Sequence, residues 1–176
     1  QQLYDGLKHE SPISLSEMKS RTILVDGFSK TYAMTGWRLG YGVMPRELAQ
    51  VVTKLVINSF SCVAPFIQEA GLAALRGPQE TISQYSTELA KRRDRLVAGL
   101  NSLPGFHCLK PQGSPYVFPS IVETGRQAGE LQRVFLEEAG VACIAGTAFG
   151  SGGSGHLRFS FTEPIGKIDL AIERMR

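Results

Sequence analysis

Lys30 and Arg38 are the residues whose types and spacing most clearly suggest chemistry. They lie in the segment FSKTYAMTGWRLGY, residues 28–41, which is otherwise mostly apolar. Buried strands are predicted on either side, at residues 22–25 and residues 39–44, so both side chains belong to one connection between strands. Such connections are where ligands commonly meet side chains. The spacing therefore predicts an amine held beside an anion-binding site.

The two side chains suit different parts of one ligand. A lysine amine can form a Schiff base with an aldehyde, and a guanidinium offers a planar fork of donors for two phosphate oxygens. Pyridoxal 5′-phosphate carries both groups and is the predicted cofactor. For an arbitrary pair, a solvated lysine and a surface ion-pair arginine would be the ordinary interpretation. The wider sequence pattern argues against it here.

That wider pattern resembles a known family. The segment SKTYAMTGWR at residues 29–38 closely resembles the cofactor-lysine motif of class I/II aminotransferases, the aspartate aminotransferase family of fold-type I pyridoxal phosphate enzymes. Three further segments continue the resemblance, SCVAPFIQ at 61–68, GTAFG at 146–150 and HLRFSF at 156–161. It runs from about residue 4 to the end of the chain.

The resemblance implies a role for each candidate site residue. Lys30 is expected to form the aldimine with the cofactor, and Arg38 to bind the cofactor's phosphate. Tyr4 is expected to contact the pyridine 3′-oxygen. Arg158 is expected to bind the substrate α-carboxylate, for which a bidentate guanidinium is well suited.

Two positions depart from the family pattern. The family has an aspartate three residues before the tyrosine, which keeps the pyridine nitrogen protonated, and this chain has Gln1 there. Glutamine cannot stabilise a pyridinium as a carboxylate does, and we expect the first residues to reflect the boundary of a truncated sequence. The family often places a hydroxyl three residues before the lysine, where this chain has Gly27. Ser29 is therefore expected to supply the hydroxyl to the phosphate.

The implied fold class is α/β. Residues 1–95 are expected to form the C-terminal remainder of the large, pyridoxal phosphate-binding domain, with a mostly parallel sheet, and residues 96–176 the small α/β C-terminal domain. Besides the two strands already named, helices are predicted at 47–57, 65–75, 78–100, 127–139 and 168–175, and strands at 116–121, 141–144 and 157–161. With 176 residues, the chain is about half as long as the enzymes it resembles, so we expect an incomplete cofactor site.

Composition excludes several other classes of protein. The chain is 43% hydrophobic and 20% charged, and its net charge of +3 is too small to argue for nucleic acid binding. No apolar run approaches the roughly 20 residues of a membrane span, and a cytoplasmic location is expected. The basic run at residues 91–95 is interpreted as the solvated face of the long helix. The sequence GSGGSG at 150–155 fits G-x-G-x-x-G but precedes a predicted strand, unlike a dinucleotide-binding motif.

The cysteines and histidines suggest no metal site. Cys62, Cys108 and Cys143 are odd in number and lack metal-ligand spacing, so reduced, buried thiols are expected. The three histidines form no ligand or triad pattern.

The function implied by the resemblance is transfer of an amino group between an L-amino acid and a 2-oxo acid, in a homodimer without metal. Two alternatives stay open. A C–S lyase or related lyase can share the lysine motif, because the fold does not fix the reaction. The chain could also be a non-catalytic aminotransferase-like module of a regulator.

Overall fold

The computed structural model describes residues 2–176, and Gln1, with its predicted departure from the family aspartate, lies outside the described residues. The helices are α1 (Phe28–Thr31), α2 (Arg46–Ser59), α3 (Pro65–Arg76), α4 (Glu80–Asn101), α5 (Ala128–Glu137) and α6 (Ile165–Arg174). The strands are β1 (Leu24–Gly27), β2 (Gly40–Val43), β3 (Tyr116–Val117), β4 (Ile144–Ala145) and β5 (Leu157–Ser160).

The chain forms two compact units. The first contains Gln2 and Lys8–Ser83, and the second contains Leu3–Leu7 and Gln84–Arg176. The division therefore falls inside α4, as does the domain boundary predicted after residue 95.

In the first unit, β1 and β2 pair in antiparallel fashion, from Leu24 opposite Val43 to Gly27 opposite Gly40. The prediction of a mostly parallel sheet is wrong for this part of the fold, because every strand pair within residues 2–176 is antiparallel. A parallel pair needs a crossover of a dozen or more residues, usually built around a full helix. The connection between β1 and β2 contains only the single turn α1 and a 3₁₀ turn at Thr35–Trp37, so the chain reverses direction instead.

Phe28 anchors α1 in the first unit. Its side chain is buried, and its ring centroid lies 5.4 Å from that of Tyr32 and 5.6 Å from that of Tyr41. Helix α3 approaches this cluster at Gly71, where an added Cβ would lie 2.5 Å from Leu39 Cδ2 and 3.3 Å from Phe28 Cζ. A side chain at position 71 would therefore require the Leu39 side chain to move.

The second unit holds most of the buried apolar side chains. Its sheet has the order β3-β5-β4, so β5 is the central strand. Side chains alternate along a strand, and β5 accordingly buries Leu157 and Phe159. The helices α4, α5 and α6 supply the other buried residues of this core, which include Leu89, Leu96, Leu100, Leu131, Phe135, Ile168 and Ile172.

Most predicted elements are present, but β3 and β4 are shorter than the strands predicted at 116–121 and 141–144. The strands predicted as buried at 22–25 and 39–44 correspond to β1 and β2, whose side chains are largely exposed, so their predicted burial is wrong. β3 ends at Val117, two residues before Pro119, which has no N–H to donate to a ladder. Only isolated bridges join Ser120 to His107 and to His156. The glycine-rich segment 150–155 contains a 3₁₀ turn at Ser151–Gly153 and leads into β5, so it does not open an α-helix as a dinucleotide-binding motif would.

Residues 2–176 contain neither a membrane-spanning helix nor a cluster of metal-ligand side chains. No helix there combines the length and apolar character required to cross a bilayer. In the same residues, no three His, Cys, Asp or Glu side chains are grouped as metal ligands. Cys108 and Cys143 are buried or half-buried as expected, whereas Cys62 is exposed, so the expectation of a buried thiol is wrong for Cys62.

Candidate functional site

Ser29 and Lys30 lie on α1, immediately after β1. Phe28 fixes the start of this single turn in the first unit, Ser29 is half-buried and Lys30 is exposed. The side-chain amide of Gln2 donates a hydrogen bond to the Lys30 carbonyl oxygen at 3.3 Å. The backbone of the lysine is thus fixed in a region where its side chain reaches the surface of the unit.

A chain of hydrogen bonds joins α1 to Arg38. Thr35 Oγ1 donates to the Ser29 carbonyl oxygen at 3.0 Å, and Arg38 Nη1 donates to the Thr35 carbonyl oxygen at 2.8 Å. Arg38 itself has a left-handed backbone with φ of 54°, as does Ala33 with φ of 53°. Such a conformation costs a non-glycine residue about 1 kcal/mol, and strained residues of this kind cluster at ligand clamps.

Arg38 retains donors for a ligand. Its Nη1 contact with Thr35 leaves Nε and Nη2 without a partner in residues 2–176, and no carboxylate in that part of the chain pairs with it. A guanidinium in this state can donate two hydrogen bonds to one anion.

A polar cleft of about 350 Å³ lies next to α1 in the first unit and was not predicted from the sequence. Tyr41 Oη donates to Asp26 Oδ2 at 3.4 Å, and Asp26 Oδ1 accepts from the Gly27 N–H at 2.7 Å. Burial, followed by the nearby Asp26 carboxylate, raises the pKa of Tyr41. Asp26 and Tyr41 are directly opposite in the β1–β2 register, and sequence spacing alone does not reveal that register.

Tyr4 belongs to the second unit and is buried there. Its hydroxyl donates to the Ser114 carbonyl oxygen at 2.9 Å, and its ring lies 6.1 Å from that of Phe161. Burial raises the pKa of Tyr4 to about 12, against the lowering effect of the Arg93 charge. The hydroxyl expected at a cofactor oxygen is therefore engaged with the backbone in this structure.

Arg93 is the centre of an ion-pair cluster around Tyr4. Its side chain is fully buried, and its guanidinium donates to both Asp5 oxygens at 2.9 Å and to Asp94 Oδ1 at 2.8 Å. It also donates to the Pro111 carbonyl oxygen and lies 4.6 Å from the centroid of the Tyr4 ring. The interpretation of residues 91–95 as a solvated face is wrong for Arg93, because it lies on the buried side of α4.

Arg93 changes the acidity of its partners. Its hydrogen bonds hold the pKa of Asp5 below its usual value. Burial would raise the pKa of Asp94, but hydrogen bonds from Arg93 and Lys110 outweigh it and lower that pKa. The cluster fixes the segment Leu3–Leu7 against the rest of the second unit.

Arg158 lies on the central strand β5, between the buried Leu157 and Phe159. Because side chains alternate along a strand, burial of both neighbours turns Arg158 to the other face of the sheet, where it is half-buried. Its guanidinium carbon lies 4.4 Å from the Tyr116 ring centroid and 4.7 Å from that of Phe149. Within residues 2–176 no carboxylate forms an ion pair with it.

The structure thus brings together some of the predicted site residues. Ser29, Lys30 and Arg38 share one hydrogen-bonded connection in the first unit. Tyr4 and Arg158 belong to the second unit.

Comparisons with known proteins identify the family. The family model for aminotransferases of class I and II matches residues 2–175, and the chain belongs to this family. It is 39% identical over 175 residues to an aspartate aminotransferase of Pyrococcus abyssi and covers 45% of that protein. It is 37% identical to aromatic-amino-acid aminotransferase 2 of Thermococcus litoralis, with 98% of this chain and 45% of the relative covered.

Solved structures show the same relationship. An aromatic aminotransferase from Pyrococcus horikoshii OT3 superimposes with a TM-score of 0.93 and 38% identity, covering 99% of this chain and 47% of that one. The aspartate aminotransferase of Rhizobium meliloti superimposes with a TM-score of 0.91 and 34% identity, covering 99% and 46%. The α/β fold class expected from the sequence is confirmed, and the chain spans about half the length of the relatives it matches.

Proposed function

We propose that this chain supplies the lysine and the anion-binding arginines of an aminotransferase that moves an amino group between an L-amino acid and a 2-oxo acid. The observation that carries the proposal is the connection between β1 and β2, where Thr35 links Ser29 to Arg38 by hydrogen bonds and Lys30 follows Ser29 on α1. Membership of the aminotransferase family and relatives named as aspartate and aromatic-amino-acid aminotransferases support it.

The residues present fit pyridoxal 5′-phosphate. Lys30 offers a primary amine for its aldehyde, while Arg38, with two donor atoms unused in residues 2–176, and the Ser29 hydroxyl suit its phosphate. When bound, this cofactor supplies a reactive carbonyl and a ring that withdraws electrons from the substrate's α-carbon. The left-handed backbone at Arg38 is consistent with a ligand clamp.

Each residue then has a defined task. Lys30 Nζ takes the proton from the substrate's α-carbon and later returns it, acting first as base and then as acid. Arg158 binds the α-carboxylate and so fixes the orientation of the α-hydrogen bond. Tyr4 is proposed to donate its hydroxyl to the cofactor's ring oxygen, for which it must give up its hydrogen bond to Ser114.

Borohydride reduction of the full-length protein with pyridoxal 5′-phosphate tests the lysine assignment. We expect a pyridoxyl group on the peptide that contains Lys30, found by mass spectrometry. Lys30→Ala should lose both the label and turnover, because no other amine occupies that connection. Lys54→Ala, which removes an exposed lysine of α2, is the matched control and should lose neither. A label on a different peptide, or none at saturating cofactor, would refute the proposal.

The products distinguish a transferase from a lyase. A single amino acid incubated with the loaded protein should yield its 2-oxo acid without release of ammonia. Ammonia or a thiol among the products would instead identify a lyase of the same fold.

A homodimer and a cytoplasmic location belong to the same proposal and have the family resemblance as their support. Light scattering during size-exclusion chromatography of the full-length protein measures the oligomeric state. A mass of two subunits is expected.

A further inference from the structure

Two aromatic rings flank the guanidinium of Arg158, and we name Tyr116 and Phe149 the aromatic bracket. Both ring centroids lie within 5 Å of the guanidinium carbon, at 4.4 Å and 4.7 Å. A cation within about 6 Å of an aromatic centroid is attracted by the ring quadrupole. The bracket therefore attracts Arg158 without neutralising its charge.

The rings of Tyr116 and Phe149 come from opposite sides of β5, because β5 lies between β3 and β4 in the sheet. Tyr116 of β3 is paired with Ser160, which lies on the same face of β5 as Arg158, so Tyr116 is its diagonal neighbour. On the other edge of β5, Ile144 of β4 is paired with Arg158. β4 continues directly into the 3₁₀ turn Gly146–Phe149, which ends at the second ring.

Phe149 is exposed, but neighbouring residues fix the position of its ring. The ring of Phe118 meets it edge-on at 6.1 Å with an angle of 78°, and His156 stacks on Phe118 at 5.1 Å and 8°. The turn that carries Phe149 is also fixed by backbone contact, because a Cβ on Gly146 would collide with the Gly153 carbonyl oxygen and a Cβ on Gly153 with the Gly146 carbonyl oxygen. The ring is therefore held in a defined position despite its exposure.

We propose that Tyr116 and Phe149 are positioning residues for Arg158, which hold its guanidinium ready for a substrate carboxylate. The inference rests on the proposed function, since it requires Arg158 to bind that group. An arginine can also be held by an acidic side chain, but an acid would compete with the substrate for the same N–H donors. Aromatic rings attract the cation without a carboxylate taking up its N–H donors, and a preorganised donor loses less entropy when a ligand binds.

The bracket should affect every substrate alike, because all of them share the α-carboxylate. Loss of one ring should weaken binding of amino acids and 2-oxo acids by about tenfold, the size expected for one partly shielded cation–π contact. The turnover number kcat should change much less, because neither ring is assigned a role in proton transfer. Selectivity between amino acid side chains should stay the same.

The test compares Phe149→Leu and Tyr116→Leu with Arg158→Ala in the full-length protein loaded with pyridoxal 5′-phosphate. Binding is measured by calorimetry with the 2-methyl analogue of the best amino acid substrate, which has no α-hydrogen and cannot react. KM and kcat are measured in parallel. We expect about tenfold weaker binding and a higher KM for both leucine variants, with kcat within about threefold of the parent.

Conservative variants and a neighbouring ring serve as controls. Phe149→Tyr and Tyr116→Phe keep a ring and should restore binding to within about twofold of the parent. Phe118→Leu removes a ring that packs against Phe149, whereas the cation–π contacts of Arg158 within residues 2–176 are with Tyr116 and Phe149. Its effect on binding should be smaller than that of Phe149→Leu. Circular dichroism verifies that each variant is folded. Phe149→Met also removes the ring of Phe149 and should weaken binding as Phe149→Leu does.

The outcomes distinguish the positioning role of the aromatic bracket from the proposed binding of the substrate carboxylate by Arg158. If Arg158→Ala weakens binding but the leucine variants do not, the bracket has no positioning role, while the carboxylate assignment stands. If Arg158→Ala leaves binding unchanged, the carboxylate assignment itself is wrong. Equal losses in Phe118→Leu and Phe149→Leu, or a fall in kcat with unchanged binding, would also contradict the bracket.

Discussion

Arg93 and Arg158 are two shielded arginines of the second unit that differ in what surrounds their charge. Arg93 is fully buried and donates to the carboxylates of Asp5 and Asp94. Arg158 is flanked by aromatic rings and pairs with no acid in residues 2–176. A guanidinium whose donors are used by the protein has a structural role, whereas one whose donors are available can recognise an anion.

Replacement of Arg93 by methionine should strongly destabilise the fold. Methionine keeps much of the apolar stem, but Asp5, Asp94 and the Pro111 carbonyl group all lose the hydrogen bonds that Arg93 donates, and within residues 2–176 only Lys110 is left to pair with the two aspartates. The carboxylates of Asp5 and Asp94 are half-exposed and can be hydrated. We therefore expect a loss of about 2 kcal/mol in the free energy of unfolding, the size of a hydrogen bond to a charged group, measured by urea denaturation.

Arg95→Met is the matched control for this prediction. Arg95 lies on the same helix and pairs with Asp169, but its side chain is exposed. Exposed ion pairs contribute little to stability, so this variant should unfold close to the parent. Equal destabilisation by the two substitutions would contradict the distinction between them.

The burial of Arg93 could have been predicted from its spacing to apolar residues, although its immediate neighbours in the chain are charged. Leu89, Arg93, Leu96 and Leu100 are all buried and follow one another at intervals of four, three and four residues. This is the spacing of one face of a helix. Partners such as Asp5, distant in the chain, could not be inferred from that spacing.

At the scale of elements, sequence periodicity predicted the helices best. The predicted helix 65–75 corresponds to Pro65–Arg76, and the predicted helix 127–139 to Ala128–Glu137. Longer amphipathic segments repeat their pattern several times and so define an element well. The two-residue strands β3 and β4 repeat no pattern, and their extent depends on pairing with β5.

At the candidate site, too, features that are local in the chain were predicted and features that depend on strand pairing were not. Ser29, Lys30 and Arg38 were predicted to share one connection, because the connection is local in the chain. The aromatic bracket was not predicted, because it joins β3, β5 and the turn after β4. Its geometry depends on strand register, which a single sequence does not specify.

Helix α4 approaches α6 closely at Gly99, where an added Cβ would lie 2.6 Å from Ile172 Cγ1. Gly99→Ala gains up to about 1 kcal/mol of helix propensity but forces the β-branched Ile172 to move, and overpacking typically costs about 1–3 kcal/mol. We therefore expect a net loss of about 1 kcal/mol in the free energy of unfolding, measured in urea.

Gly129→Ala on α5 is the matched substitution for Gly99→Ala. An added Cβ at Gly129 meets no atom within 4 Å. Only the gain in helix propensity then applies, so this variant should be more stable than the parent by up to about 1 kcal/mol. A stabilising Gly99→Ala would show that α4 and α6 can separate without cost.

At the scale of the whole molecule, stability should depend on pH on the alkaline side. Burial raises the pKa of both Cys108 and Cys143 to about 11, while exposed thiols titrate near 8.5. The unfolded chain therefore releases these protons first as the pH rises, and the folded state loses stability between about pH 8.5 and pH 11. Below that window both states keep the thiols neutral, and the contribution is fully present.

Urea denaturation at several values between pH 8 and pH 11 measures this loss, with reducing agent present. The variant Cys108→Ala, Cys143→Ala should show a flatter dependence, while Cys62→Ala, which removes the exposed thiol, should follow the parent. An unchanged slope in the double variant would assign the alkaline loss to other groups.

The family and fold class were accessible from sequence because several separated motifs point to the same architecture. The antiparallel strand pairing was not, because the resemblance describes a whole large domain and this chain spans about half the length of its relatives. Within residues 2–176, the only strands of the first unit are the antiparallel pair β1 and β2.

The facing glycines at positions 146 and 153 have a consequence for how the sequence can change over time. Each is opposed by the other's main-chain carbonyl group, and a main-chain oxygen has no rotamer through which it can give way. A mutation of either glycine therefore cannot be compensated by a smaller side chain elsewhere. The pair can be exchanged only when the whole turn is rebuilt, for instance by an insertion or deletion, and such an event would remove Phe149 from Arg158 at the same time.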